Sequence, residues 1–416
     1  MPLHVAIFID QHSETLGGMQ TSVRLQKKFL ERLGHRVTLV SPALRHRHDA
    51  DPDIIELPSI PAGPGEYAMF VPNVFTRAVL DRELAKRPPL DLIHIQGDFW
   101  AAIAGYQLAD RRRLPVVHTM HNNVHVGIEA TMPVPKVVVR GLGEWQKRSL
   151  GLRGPAASTA WEFLGNFAQR ANAVTAPSSH FAQLLEDEQV FQPVRVVSNG
   201  LDDDIATELL SGASSQASTT FPISSNGVGS REAEKRARPR LSWTGRFSQE
   251  KRLLPFLEAV KLSGIDADIH IFGGGALQKQ AEAIAGSITT ATVHFRGSVP
   301  YPTMLRELQL ADALVQTSIG FESQGMTVFE AAALGTPSIL ADHRIAADLP
   351  EGSMWLTTSD DVAGLAHALE TATADISNGS GPSTAAYDPT SFFQSAKTEL
   401  MLELYREALG QRACTS

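Results

Sequence analysis

Two doubly wound parallel sheets, in an α/β chain, are the architecture these 416 residues predict. Three observations carry that expectation. The length suits two domains of about 200 residues each. A 43% share of hydrophobic residues is enough to fill two cores. Short apolar runs alternate with helical stretches, which is the pattern of strands buried on both faces and connected by helices.

The strand signals, in order, are Val5–Ile9, Val37–Val40, Leu92–Ile95, Val116–Val117, Val194–Val197, Leu241–Thr244, the run from Ile269, and Ala313–Val315. After the first, the loop Gln11–Gln20 carries the pair Gly17-Gly18 and opens a helix over Thr21–Leu33. Paired glycines let backbone approach a ligand, and a helix start offers free N–H groups; an ordinary tight turn has the same appearance. Residues 211–230 are Ser/Thr/Gly-rich and 231–240 are charged, the composition of a disordered insertion beside the connection between domains. Ala372–Pro389 reads as a second loose stretch, before a last amphipathic helix over Ser391–Leu409. The divisions expected are a first domain over 1–205, the insertion over 206–240, a second domain over 241–389, and a C-terminal helix within 390–416 that returns to the first domain.

Charge is unevenly spread. Residues 1–200 hold 21 basic and 19 acidic side chains, against 16 and 26 in the remainder. Neither half has the strongly basic face that nucleic acid demands, whereas the more basic first half suits an anionic membrane surface. The single cysteine, Cys414, excludes an intrachain disulfide and fits a reducing compartment. No apolar run approaches the ~20 residues of a membrane span, and Met1-Pro-Leu-His lacks a basic leader. The expected location is cytoplasmic, soluble or peripheral on the inner face of the membrane.

The chemistry concentrates in the second half. Residues 321–337 place Glu322 before a glycine and Glu330 about one turn inside a helix over Met326–Leu334, stopped by Gly335 and Pro337. Backbone N–H groups of Gly325, Met326 and Thr327 form an anion site there, and carboxylates at its two ends suit sugar diols. The cationic counterpart is Trp243–Lys251, where a strand runs into glycine and then offers Arg246 and Lys251. Each charge-assisted hydrogen bond to a diphosphate is worth about 1.5–3 kcal/mol. Between them Gly273-Gly274-Gly275 suggests a dinucleotide turn, but the third fingerprint glycine falls on Gln278.

Leu114–Asn123 is a strand ending in His118 and His121. With His125 they suggest zinc, yet nothing in the spacing supplies a ligand set with supporting carboxylates. Asp202 and Asp204 formally make a D-x-D metal motif, in a position better read as a solvated turn. No metal and no cofactor are expected.

Glu322 and Glu330, seven residues between them and Leu-Gly-Thr-Pro after, resemble the signature of family 4 retaining glycosyltransferases of the GT-B fold, in which two Rossmann-like domains face across a cleft. The resemblance implies that Glu322 approaches the donor sugar, Glu330 holds the ribose, and the backbone at Gly325–Thr327 meets the diphosphate of a nucleotide sugar. It implies that Arg246 and Lys251 grip that diphosphate and that Gly17, Gly18 and Gly274 lie beside it. It further gives Gly297 and Ser298 to the base pocket and His118 to the transferred sugar, with His121 on the acceptor side. Ser-Gln-Gly-Met-Thr within the glutamate motif, and Leu57-Pro-Ser-Ile-Pro with Tyr67, resemble bacterial diacylglycerol glucosyltransferases; phosphatidylinositol mannosyltransferases are similar too. The segment 131–153, basic residues Lys136, Arg140, Lys147, Arg148 and Arg153 among Val, Leu and Trp145, reads as an interfacial stretch or as an ordinary helix face. The expected function is metal-independent, retaining transfer of a hexose from UDP-glucose or GDP-mannose type donors to a membrane lipid. A soluble acceptor, or a nucleotide-sugar epimerase of the same fold, remains open. The likeness spans nearly the whole chain, is strongest in the second domain, and breaks at the serine-rich insertion.

Overall fold

The computed structural model describes residues 2–15, 17–44, 51–62, 67–212, 238–384 and 388–415. Two compact units result, Met1–Gly200 with Gln394–Ser416, and Leu201–Phe393.

The first unit contains β1 (His4–Phe8), β2 (Arg36–Pro42), β3 (Ile54–Leu57), β4 (Ser59–Pro61), β5 (Ala68–Phe70), β6 (Leu92–Ile95), β7 (Val116–Thr119), β8 (Ala173–Ala176) and β9 (Arg195–Val196). Seven of them form a parallel sheet in the order β3-β2-β1-β6-β7-β8-β9. Strand alternation explains its three layers. Val5 and Ile7 of β1 join the core beneath the helix Gly18–Arg32 and the C-terminal helix Gln394–Thr415, while Ala6 and Phe8 join the opposite core with the helix Trp100–Arg112. β4 and β5 make a separate antiparallel hairpin, closed where Tyr67 accepts the Ala62 N–H at 3.0 Å.

The second unit contains β10 (Arg240–Thr244), β11 (Asp268–Phe272), β12 (Thr292–Gly297), β13 (Ala313–Gln316), β14 (Ser338–Leu340) and β15 (Met354–Leu356), all parallel, in the order β12-β11-β10-β13-β14-β15. Trp243, Ile269, Val315 and Ile339 fill one face, and Phe272, Leu314 and Leu340 the other.

In both sheets the chain winds outward from the first strand, then returns to build the other side. The reversal falls between β1 and β6 in one unit and between β10 and β13 in the other, and the crevice outside the carboxyl ends of such a pair is where ligands bind.

Residues 213–237, the centre of the expected insertion, lie outside the described residues; residues before them, Asp203–Leu210, are helical. The loose stretch expected from Ala372 is corrected at its start, since a helix runs over Val362–Asn378. Asp361 caps it and Gly379 ends it in the left-handed conformation. Its hydroxyls look like loop chemistry in sequence, but Thr373 and Ser377 donate back to the carbonyls of Leu369 and Thr373 at 2.8 and 2.7 Å.

Candidate active site

The reversal point of the second sheet gathers the motifs. β10 ends at Thr244 and the chain turns through Gly245, Arg246 and Phe247 into a short 3-10 turn, Gln249–Lys251. Gly273 and Gly275, after β11, exist to clamp that turn. Phe247 N–H donates to the Gly274 carbonyl at 2.8 Å, Leu277 N–H to the Phe247 carbonyl at 3.1 Å, and Gly245 N–H to the Phe272 carbonyl at 3.1 Å. A Cβ on Gly273 would lie 2.0 Å from the Gly245 carbonyl oxygen, and both glycines have positive φ, 120° and 152°. The triple glycine therefore fits the backbone of the Arg246 loop rather than a dinucleotide fingerprint. Gly273→Ala is expected to destabilise the second unit by about 1–3 kcal/mol, from strain and overpacking. Urea melts check it; an unchanged midpoint contradicts this clamp.

Lys251 reaches from this turn to the loop after β13. Its Nζ lies 2.5 Å from Glu322 Oε1, with both side chains mostly covered, and 5.3 Å from the centre of the Phe321 ring. Trp243 Nε1 donates to Thr317 Oγ1 at 2.9 Å, and Thr317 Oγ1 donates to the Lys251 carbonyl at 2.7 Å, so buried groups hold the cation's backbone. Arg246 is exposed, 3.2 Å from Glu250, whose carboxylate also accepts from Ser248 Oγ at 2.5 Å. Two cations thus stand on one turn, Arg246 exposed beside Glu250 and Lys251 mostly covered beside Glu322.

The loop continues to Gly325, at φ 80° and ψ 53°, and the helix Met326–Ala333 begins with no side-chain cap. A β-carbon there would meet Ile345 at 3.3 Å as well as being strained. Asp342, held by the Arg344 guanidinium at 2.9 Å, accepts the Gly320 N–H at 2.8 Å and so fixes the loop from behind. Met326 and Thr327 are half-buried. Glu330, one turn in, is only 6% exposed. Burial pushes its carboxyl up to about 7, and Tyr301 O–H donates to it at 3.0 Å, which opposes the rise. Gly297 ends β12 at φ 70°, and exposed Ser298 follows it toward Tyr301.

The reversal point of the first sheet is also polar. Gly17 is the residue before the helix Gly18–Arg32, again uncapped by a side chain. Asp10 accepts N–H groups from Phe99 and Ala101 at 3.1 and 2.9 Å; burial and then Asp98 push its carboxyl up to about 7 against those bonds. Asp98 accepts from Asn122 Nδ2 at 2.7 Å and faces His118 Nε2 at 3.4 Å. His118, expected at the transferred sugar, is 0% exposed, with Tyr106 O–H 3.1 Å from Nδ1 and Phe167 against its ring. His121 is buried as well, though it keeps 8% exposure, and its Nε2 lies 3.0 Å from Gln96 Oε1. His125 lies on the helix Val124–Thr131, 3.5 Å from Glu129. Among the described residues no group of three or more His, Cys, Asp or Glu is placed to hold a metal. Asp202 accepts the Asp204 N–H at 3.1 Å as the cap of the helix Asp203–Leu210.

Sequence reasoning missed Tyr301, Thr317, Asp342 and Gln96. Tyr301 alone had a local signal, standing just after Pro300 at a helix start.

Residues 16–205 match the family described as Glycosyltransferase Family 4, and residues 238–375 match Glycosyl transferases group 1. An alpha-monoglucosyldiacylglycerol synthase of Streptococcus pneumoniae is 25% identical over 357 residues, 81% of this chain and 70% of that protein. One from Acholeplasma laidlawii is 26% identical over 122 residues, 29% of this chain and 30% of that protein. Among solved structures, Anabaena HepE, in complex with UDP and glucose, superposes with a TM-score of 0.61 at 15% identity, over 97% of this chain and 99% of that one. The catalytic domain of Starch Synthase IV from Arabidopsis thaliana gives 0.63 at 14% identity, over 99% and 100%. At such identities the structures speak to fold. The chain is a glycosyltransferase of the GT-B fold, its first domain of Glycosyltransferase Family 4 and its second of Glycosyl transferases group 1.

Proposed function

We propose that this glycosyltransferase moves a hexose from a nucleotide diphosphosugar to a membrane lipid of the diacylglycerol class, with retained anomeric configuration and without a metal. One observation carries the donor half. Lys251, Arg246 and an uncapped helix start at Gly325 converge on the reversal point of the second sheet, beside the carboxylates of Glu322 and Glu330. Cations and N–H groups take the diphosphate, Glu322 the sugar hydroxyls, Glu330 the ribose, and Gly297 and Ser298 border the base.

In the transfer, the bond from the anomeric carbon to the diphosphate oxygen breaks and a bond to the acceptor oxygen forms on the same face. The acceptor's proton passes to the departing phosphate oxygen. Charge that develops there meets Arg246, Lys251 and the helix N–H groups, and each preorganised donor of this kind contributes about 3–4 kcal/mol in the transition state. Cationic side chains do the work that a divalent ion would otherwise do. Excess chelator is therefore expected to leave turnover unchanged; abolished turnover, restored by magnesium or manganese, contradicts this reading.

The lipid half draws on the likeness to the two diacylglycerol-linked synthases and on the surface of the first unit. The helix Pro135–Leu150 and the residues before it expose Met132, Val134 and Val137 beside Lys136 and Arg140. Apolar and basic side chains so mixed suit an anionic interface, where each basic residue adds about 1 kcal/mol. No helix among the described residues is long and apolar enough to cross a membrane. The test supplies UDP-glucose or GDP-mannose with anionic vesicles containing diacylglycerol and identifies the product and its anomer by NMR. An α-linked glycolipid is expected. Transfer only to a soluble sugar or inositol phosphate overturns the lipid assignment, and an inverted anomer overturns the retaining one.

A further inference from the structure

The first unit buries a hydrogen-bond chain that no step above uses. On the sheet face covered by the helices Gly18–Arg32 and Gln394–Thr415, three neighbouring strands carry polar residues near their carboxyl ends: His94 on β6, Thr119 on β7 and Thr175 on β8. Tyr405 O–H, from the C-terminal helix, lies 2.7 Å from His94 Nδ1; His94 Nε2 lies 2.7 Å from Thr119 Oγ1, which lies 2.6 Å from Thr175 Oγ1. Gln26 Nε2 donates to Tyr405 Oη at 3.2 Å. Gln96 Nε2 donates to Gln26 Oε1, and Gln96 Oε1 stands 3.0 Å from His121 Nε2. Tyr405, His94, Gln26, Gln96 and His121 are all at least nine-tenths buried.

With the two glutamine amides oriented as they are, the donors and acceptors run in one direction along this chain. Gln96 offers its carbonyl to His121, so the His121 ring carries its proton on Nε2 and keeps a lone pair on Nδ1. Turning both glutamine amides over reverses every bond and would make Nδ1 a donor.

We infer that Tyr405, Gln26 and Gln96 are positioning residues that hold His121 as the Nε2–H tautomer, presenting Nδ1 as a hydrogen-bond acceptor to the hydroxyl of the sugar acceptor. Burial also pushes His121 down to about 4, with Asp98 opposing and His118 assisting, so the ring is neutral at working pH. Such a weak base orients a hydroxyl and leaves its proton for the departing phosphate. The inference rests on the glycosyl-transfer reading for its function, whereas the tautomer is a property of the protein alone.

The experiment is NMR of the full chain labelled with 15N-histidine, the His121 signal assigned by its loss in His121→Asn. The Nε2–H tautomer is expected from pH 5 to 8 in the parent. In Tyr405→Phe, which removes only a hydroxyl, the two tautomers are expected to mix, with kcat lowered about tenfold and donor KM unchanged. Gln96→Glu, a carboxylate in place of the amide, is expected to raise the His121 titration and bring an acid limb into the pH profile. An Nδ1–H tautomer in the parent, or an unmixed tautomer in a folded Tyr405→Phe, overturns the inference. An Nε2–H tautomer in the parent with unchanged turnover in His121→Asn removes the ring's role at the hydroxyl and overturns the inference equally, without touching the donor site.

Discussion

Lys251→Ala is expected to lower turnover by about 10²–10³-fold while leaving the fold intact, because it removes one preorganised cation from the departing diphosphate. The side chain is not an ordinary surface lysine. Its carbonyl is tied through Thr317 to Trp243, and its ammonium rests against Glu322. Substitution therefore also deprives Glu322 of its ammonium neighbour, and the two effects need separating. If Lys251 acted only by steadying Glu322, Lys251→Ala would cost nothing further in a Glu322→Gln background. A role at the phosphate predicts that the double variant is slower than either single one. Arg246→Ala should match the loss in turnover with a stability change within about 0.5 kcal/mol, since its side chain is exposed and pairs with Glu250. Steady-state kinetics with a fixed acceptor check this; near-parental turnover in both single variants removes the diphosphate assignment.

Glu330→Gln should act on binding rather than on rate. A charged acceptor of two ribose hydroxyls contributes about 1.5–3 kcal/mol per bond, so the variant is expected to weaken nucleotide binding by about 10–100-fold with kcat nearly unchanged. The pH dependence gives a second signature. Burial raises the carboxyl from 4.5 to about 7 in the folded chain. Below 4.5 the group is protonated whether folded or not; between 4.5 and about 7 the folded state holds the extra proton. Its contribution to stability is therefore full at low pH and is lost as pH rises through about 7. Nucleotide binding runs the opposite way, because ribose hydroxyls donate to the ionised form, so affinity should rise between pH 6 and 8 in the parent and stay flat in Glu330→Gln. Calorimetric titration at several pH values checks this. A pure kcat defect, or the same pH dependence in the variant, contradicts the ribose role. Asp10 titrates in the same window from the first unit, which makes the parent-minus-variant difference the quantity to read.

How much of this was legible in the chain depended on whether a signal was local. Strands with four or more apolar residues, such as Val5–Ile9, stood out because a buried parallel strand leaves no polar face. Ser338–Leu340 and Met354–Leu356 did not, since three residues carry no period. The helix Val362–Asn378 was half hidden by threonines and serines whose hydroxyls bond within the helix itself. In the site, glycine and charge spacing led to Arg246, Lys251, Glu322 and Glu330, and the topology gathers them at one sheet reversal. What the spacing withheld was long-range. Tyr301 meets Glu330 from another helix, Asp342 holds Gly320 from the turn after the following strand, and Gln96 meets His121 from the ends of β6 and β7. The histidines show the same limit: His118 and His121 are three residues apart at one strand end, and packing by Tyr106 and Phe167 is what encloses the first completely while the second keeps 8% exposure.

The donor site is the claim on which the rest depends, and thermal shift against UDP- and GDP-sugars tests it most directly. A ligand at 100 times its dissociation constant adds about 2.7 kcal/mol of stability. The account predicts a clear shift with one nucleotide sugar in the parent and its reduction to about 0.4–1.4 kcal/mol in Glu330→Gln at the same concentration. No shift with any donor, or an undiminished shift in that variant, would contradict it.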